Sequence, residues 1–171
     1  FVKNNISIMS SADLVAVATP PGLLFGRLAN FINAELWGRP TDMPWGVVFP
    51  GNSAQDCPSV MEACARHPSQ LYEAALEGLV LFFILFFLSL RGGFLRKGLV
   101  TGLFISIYGI ARFIIEFFRV PDPQFYSEYN PYGFAYGIGE FGVTMGQVLS
   151  IPMVVVGGIL VVKSFYQEAK Q

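Results

Sequence analysis

Four stretches of the chain are apolar at nearly every position, with more polar segments between them. They run over roughly 14–33 (LVAVATPPGLLFGRLANFIN), 71–90 (ending VLFFILFFLSL), 99–118 (LVTGLFISIYGIARFIIEFF) and 143–162 (VTMGQVLSIPMVVVGGILVV). Each reaches the roughly 20 mostly apolar residues that a membrane-crossing helix needs. The pattern predicts an all-α, polytopic membrane helix bundle with about four transmembrane helices. The first stretch is the weakest, because it holds Pro20, Pro21 and Arg27. In the second the only charges are Glu73 and Glu77, near its start; the fourth has none.

Orientation follows from the connections. Short loops rich in Lys and Arg stay on the cytoplasmic side. The link RGGFLRKG carries Arg91, Arg96 and Lys97 and no acid, which places it inside. Alternation then sends the 34–70 and 119–142 loops outward and leaves both termini, including the C-terminus, cytoplasmic. Lys163 and Lys170 after the last stretch agree. The outward loops are rich in Gly, Pro and aromatic residues and read as ordered. No internal repeat is visible.

Composition supports the lipid setting. The chain is 53% hydrophobic and 13% charged, where soluble domains carry about 25% charged residues. A net charge of −1 gives no electrostatic case for nucleic acid. Cys57 and Cys64 fit no zinc spacing, and a single His makes a closed zinc site a poor fit. In an oxidising outer compartment the two thiols either pair as a disulfide or stay separate. The opening residues FVKNNISIMSS show no signal-peptide pattern and no initiator Met. The chain is therefore expected to start partway through a longer protein.

Ionisable groups inside a span cost roughly 2.5–3.5 kcal/mol on insertion scales, so they usually face a partner, a cavity or a substrate. Arg27 and Asn30 share one helical face, with Asn33 and Glu35 beyond them. Tyr108, Arg112 and Glu116 follow at four-residue intervals, and Arg119 continues the stripe. One reading is a cavity open to the outer leaflet in which Arg forks grip an anionic headgroup. The bland reading is that Arg112 and Glu116 neutralise each other. Arg27 has no acid three or four residues away. A transporter or anion-binding membrane protein with a buried Arg/Glu-lined pathway is the alternative function, and an inert scaffold subunit a third.

The stretch Gly26-Arg27-Leu28-Ala29-Asn30-Phe31-Ile32-Asn33-Ala34-Glu35-Leu36-Trp37-Gly38 resembles the signature of the prolipoprotein diacylglyceryl transferases. Three further blocks resemble that family in the same order: Arg66-His67-Pro68-Ser69-Gln70-Leu71-Tyr72-Glu73; Tyr108-Gly109 with Arg112, Glu116-Phe117-Phe118-Arg119 and Pro121-Asp122; and Met145-Gly146-Gln147 with Ser150-Ile151-Pro152. The likeness covers about residues 13–163. It implies transfer of the diacylglyceryl group from phosphatidylglycerol to the lipobox cysteine of a prolipoprotein signal peptide, in the bacterial inner membrane, with glycerol phosphate released. It implies no metal and no organic cofactor. Arg27 and Arg112 match the family's essential arginines. Asn30, Glu35, Gly38, Tyr108, Glu116 and Arg119 match other functional positions.

Nothing here matches the family's histidine-glycine block, which lies on an earlier helix. Residues 1–171 are therefore expected to form the C-terminal portion of one transmembrane transferase domain, with earlier helices missing. Within this chain the candidates for a proton acceptor are His67, Glu35 and Glu116. His67, before Pro68, also reads as a residue opening the second helix with its ring bonded to backbone. Glu35 is expected to orient an Arg. Gly38 is expected to permit a tight turn out of the first span, with Pro40 ending it.

Overall fold

The computed structural model describes residues 7–57, 63–138 and 141–168. Four long helices dominate. We call them α1 (Ile8–Ile32), α2 (Ser69–Leu90), α3 (Leu99–Ile115) and α4 (Met145–Glu168). By length and composition α1, α2 and α4 can each cross a membrane, and α3 is apolar but shorter. At 1.5 Å per residue its helical part spans about 26 Å. The expected third span, 99–118, therefore loses its last turn to a tight turn through Phe118.

The first span begins earlier than its apolar run. Ser7 caps α1 and draws Asp13 into the helix. Pro20 and Pro21 remove two backbone donors mid-helix, yet the helix continues for 25 residues. Its end is a Schellman motif: Ala34 N–H bonds Phe31 O at 3.1 Å and Glu35 N–H bonds Asn30 O at 2.9 Å. Ala34 takes the left-handed position (φ 55°), and Leu36 follows with φ 56°. The turn expected at Gly38 is thus made two to four residues earlier, by residues with side chains.

What Gly38 supplies is closeness. Its N–H bonds His67 O at 2.9 Å, and its backbone pairs with Arg119. A Cβ there would collide with the carbonyl oxygens of Phe118 and His67. Gly38 is the point where the chain leaving α1 wedges between the start of α2 and the end of α3.

Asp13 ties α1 to the start of α3. Its fully buried carboxylate accepts from Gly98 N (2.7 Å), Thr101 N (2.8 Å) and Thr101 Oγ1 (2.6 Å), supplying acceptors to backbone donors that a helix start leaves orphaned. At the same end Arg96 lies 4.5 Å over the Phe165 ring of α4. The start of α1, the 91–98 link and the end of α4 therefore share one end of the bundle. Lys170 lies outside the described residues.

The opposite end carries two small antiparallel hairpins, β1 (Val47–Val48) with β2 (Ala65–Arg66) and β3 (Tyr136–Ile138) with β4 (Phe141–Val143). Cys57 and Cys64 are disulfide-bonded there, with Cα atoms 6.3 Å apart. Buried Arg66 donates to the carbonyls of Ala54 (2.6 Å) and Asp56 (3.0 Å) and stacks 4.2 Å over Trp37. These bonds tie residues 54–56 to 64–66 across the described part of the loop.

Ala16, Leu81, Leu85 and Val100 form the packed centre of α1, α2 and α3. Against α4, α3 relies on small residues: a Cβ on Gly157 would strike Ser106 Oγ and Gly102 O. Close backbone approach of this kind drives helix association in lipid, where apolar side chains gain little by meeting. The outward faces keep Phe83, Phe87, Ile151 and Val155 exposed, as lipid-facing surfaces require.

Candidate functional site

Three guanidinium groups converge on one carboxylate where α1 ends, α2 begins and α3 ends. Glu73 sits in the first turns of α2 and is fully buried. Its Oε1 accepts from Arg112 Nη1 at 2.9 Å and from Arg119 Nη1 at 2.7 Å. Its Oε2 lies 3.1 Å from Arg27 Nη1, close enough for an ion pair but off a hydrogen-bond line. One turn on, Glu77 faces Arg27 Nη2 at 3.5 Å. Arg112 Nη2 also meets Glu116 at 3.0 Å.

The backbone explains the convergence. Arg112, Glu116 and Arg119 follow at helical spacing on α3 and the turn after it. Glu73 and Glu77 are one turn apart on α2, which passes into a π-helix over Ala74–Val80 directly after Glu73. Such widened turns are rare and often occur at functional sites. Glu116 rests against the first turn of α4, where a Cβ on Gly146 would overlap its carboxylate. That helix start is closed by reciprocal bonds between Thr144 and Gln147 and presents its positive end to Glu116.

The guanidiniums are the accessible part. The side chains of Arg27, Arg112 and Arg119 are 18%, 19% and 13% exposed, whereas Glu73 and Glu77 are at 0%. Each Arg carries five N–H donors, so most donors in the cluster are free of the carboxylates. Such an array suits a phosphate or another planar-fork acceptor.

The structure thus brings together Arg27, Arg112, Glu116 and Arg119. Tyr108 lies one turn deeper, half-buried and stacked on Phe104. The bland pairing of Arg112 with Glu116 exists, but Arg112 also binds Glu73, so its fork bridges two helices. Arg27, without an acid on its own helix, finds two on α2.

Asn30 lies in the last turn of α1, one turn beyond Arg27; its side chain is half-buried and makes no hydrogen bond among the described residues. Glu35 does not orient an Arg. Its carboxylate is exposed and unpaired among the described residues, because the left-handed Ala34 and Leu36 carry the chain away from the helix face.

His67 opens α2 through its backbone, as expected, but its ring bonds a side chain rather than backbone. Nδ1 lies 3.1 Å from the Tyr72 hydroxyl, which accepts from Trp45 Nε1 at 2.8 Å. Burial holds the imidazole below its ordinary range, hence neutral at pH 7. His67 makes none of the cluster's bonds. It borders an apolar cavity of about 380 Å³ with Met43, Trp45, Leu76 and Phe118.

Glu73 and Glu77 are the site residues that sequence reasoning missed. Two carboxylates four apart at the head of an apolar run share a helical face, and that spacing was the available signal.

The family model described as prolipoprotein diacylglyceryl transferase matches residues 1–163. A phosphatidylglycerol–prolipoprotein diacylglyceryl transferase of Cereibacter sphaeroides is 62% identical over 91% of this chain and 54% of its own length. Its namesake in Ruegeria pomeroyi is 59% identical over 91% of this chain and 53% of its own. The one in Methylocella silvestris is 48% identical over 98% and 54%. The chain spans about half the length of the curated relatives it matches. On the family match and these identities, the chain belongs to the prolipoprotein diacylglyceryl transferase family.

Proposed function

We propose that the protein moves the diacylglyceryl group of phosphatidylglycerol onto the lipobox cysteine of a prolipoprotein, at the outer face of the bacterial inner membrane. The observation that carries this is the array of three partly exposed guanidiniums backed by a buried carboxylate. In the transfer, the cysteine S–H gives up its proton and sulfur forms a thioether bond to the glyceryl carbon. The C–O bond from that carbon to phosphate breaks, and the electron pair leaves with glycerol phosphate. Fixed donors stabilise the charge that grows on the leaving phosphate. Arg27 and Arg112 suit that task, and Arg119 supports them. The thiolate is the nucleophile.

Of the proton acceptors considered, Glu116 is engaged by Arg112 and His67 by Tyr72, while Glu35 faces outward. None is both close to the guanidiniums and unspent, so we assign the chain's own residues to phosphate recognition and leave the proton to other groups of the whole protein. The hairpin end, with its disulfide, fits the outer compartment, and the Arg91–Lys97 link the cytoplasm. Transport would call for matched halves, and the sequence holds no repeat.

The test is direct. Purified full-length protein is incubated in vesicles with phosphatidylglycerol labelled in the glyceryl carbons of its diacylglyceryl group, and with a lipobox peptide. Label should appear on the cysteine in a base-stable bond, with an equal amount of glycerol phosphate released. No labelled peptide, or a base-labile bond, would overturn the assignment.

A further inference from the structure

We infer that Glu73 is a positioning residue: its buried carboxylate is the template that sets the three guanidinium forks for the phosphate they receive. The inference rests on the transfer proposed above and extends it to a residue that touches no substrate. Glu73 alone among the cluster's acids meets three arginines; Glu77 meets Arg27 and Glu116 meets Arg112. Its partners come from α1, from α3 and from the turn beyond α3, so one side chain fixes the relative placement of all three segments. It is at 0% exposure while each partner is 13–19% exposed, so it stands behind the forks rather than in the cavity.

Like charges brought together repel, and long side chains hold no single geometry without a partner. A carboxylate with one oxygen hydrogen-bonded to two guanidiniums and the other ion-paired to a third supplies that geometry before lipid arrives. It does so at a cost to binding, because it is an anion behind an anion site. The two effects act on different kinetic constants. Preorganisation for the leaving phosphate acts on kcat, whereas the opposing charge acts on KM for the lipid.

Glu73→Gln keeps the shape and removes the charge. In the full-length enzyme, with folded fraction measured by size-exclusion chromatography and thermal melting, kcat per folded molecule should fall at least tenfold. KM for phosphatidylglycerol, and Kd for glycerol phosphate by calorimetry, should stay level or fall. Glu73→Asp, which keeps the charge on a shorter arm, should recover part of kcat. A purely structural role would lower the yield of folded protein and leave kcat per folded molecule within twofold of wild type, which would overturn the inference. A tenfold weaker Kd would overturn it equally, by showing collapse of the site.

Should Glu73→Gln yield no folded protein, Glu73→Asp decides: a several-fold lower kcat at unchanged KM supports positioning, and wild-type kcat refutes it. Absence of transfer by the wild-type enzyme would count against the proposed function instead. The glycerol phosphate arm would then still read Glu73, with unchanged or tighter binding in Glu73→Gln supporting its role and tenfold weaker binding refuting it.

Discussion

Replacing Arg112 by Lys keeps the positive charge and removes the fork, and the structure says what that costs. Arg112 uses Nη1 for Glu73 at 2.9 Å and Nη2 for Glu116 at 3.0 Å. A lysine carries one nitrogen and serves one carboxylate well. The other loses a charged contact, a change of about 1.5–3 kcal/mol where the lost contact is the hydrogen bond to Glu73. Some of that is recovered if water enters, since Arg112 is 19% exposed. The remaining donors that Arg112 offers a phosphate are also lost. If about 1.4 kcal/mol of this reaches the transition state, transfer slows tenfold. We expect at least that loss in kcat/KM for Arg112→Lys, and a similar loss for Arg27→Lys, in the full-length enzyme with labelled phosphatidylglycerol and lipobox peptide. Turnover close to wild type in both variants would refute the claim that planar, two-nitrogen recognition matters here.

Asp13→Ala leaves Gly98 N, Thr101 N and the Thr101 hydroxyl without their acceptor; it should destabilise the protein by about 2–4 kcal/mol, read as a lower thermal midpoint in detergent, and a midpoint within a degree of wild type would contradict the cap. Ala34→Gly relieves a left-handed alanine at φ 55° and should raise stability by about 0.5–1 kcal/mol, whereas a drop would show that the methyl group matters more than the backbone. A cysteine at Gly93, in a background lacking Cys57 and Cys64, should resist impermeant thiol reagents in intact cells, as the cytoplasmic placement proposed for the link that holds Arg91, Arg96 and Lys97 requires. Rapid labelling would invert the assigned topology.

The parts legible in the sequence are those that depend on composition along one helix. The apolar runs give the bundle, and charge inside those runs points to Arg27 and Arg112. The i, i+4 stripe on α3 is likewise local. What escaped depends on contacts between segments. Glu73 and Glu77 lie at the head of an apolar run, where a charge is cheap, so they looked like boundary residues. Their burial appears only once α1 and α3 pack against them. Asp13 fell outside the expected span, since its partners are 85 and 88 residues away. The end of α1 was misread because a left-handed cap usually signals itself with Gly or Asn, and here the position is taken by Ala34. Gly38 serves close approach to Phe118 and His67 rather than the expected turn, and a need for closeness has no local signature.

The missed carboxylates also explain how the arginines can be there at all. Three guanidiniums and three carboxylates share the site, so with all of them ionised the charges cancel. An unpaired Arg in a span is costly to insert, and α2 brings in the acids that reduce that cost. A balanced cluster cannot attract a phosphodiester through net charge. It has to recognise the phosphate at contact, through N–H donors that the carboxylates leave unspent. That places the burden on where each donor points. It also fits the layering, with Glu73 fully enclosed and the arginines partly exposed in front of it. Under the proposed function an arriving headgroup meets donors first and the anion only through them, so position at the site, more than charge, is what would separate the proposed lipid substrate from any other anion.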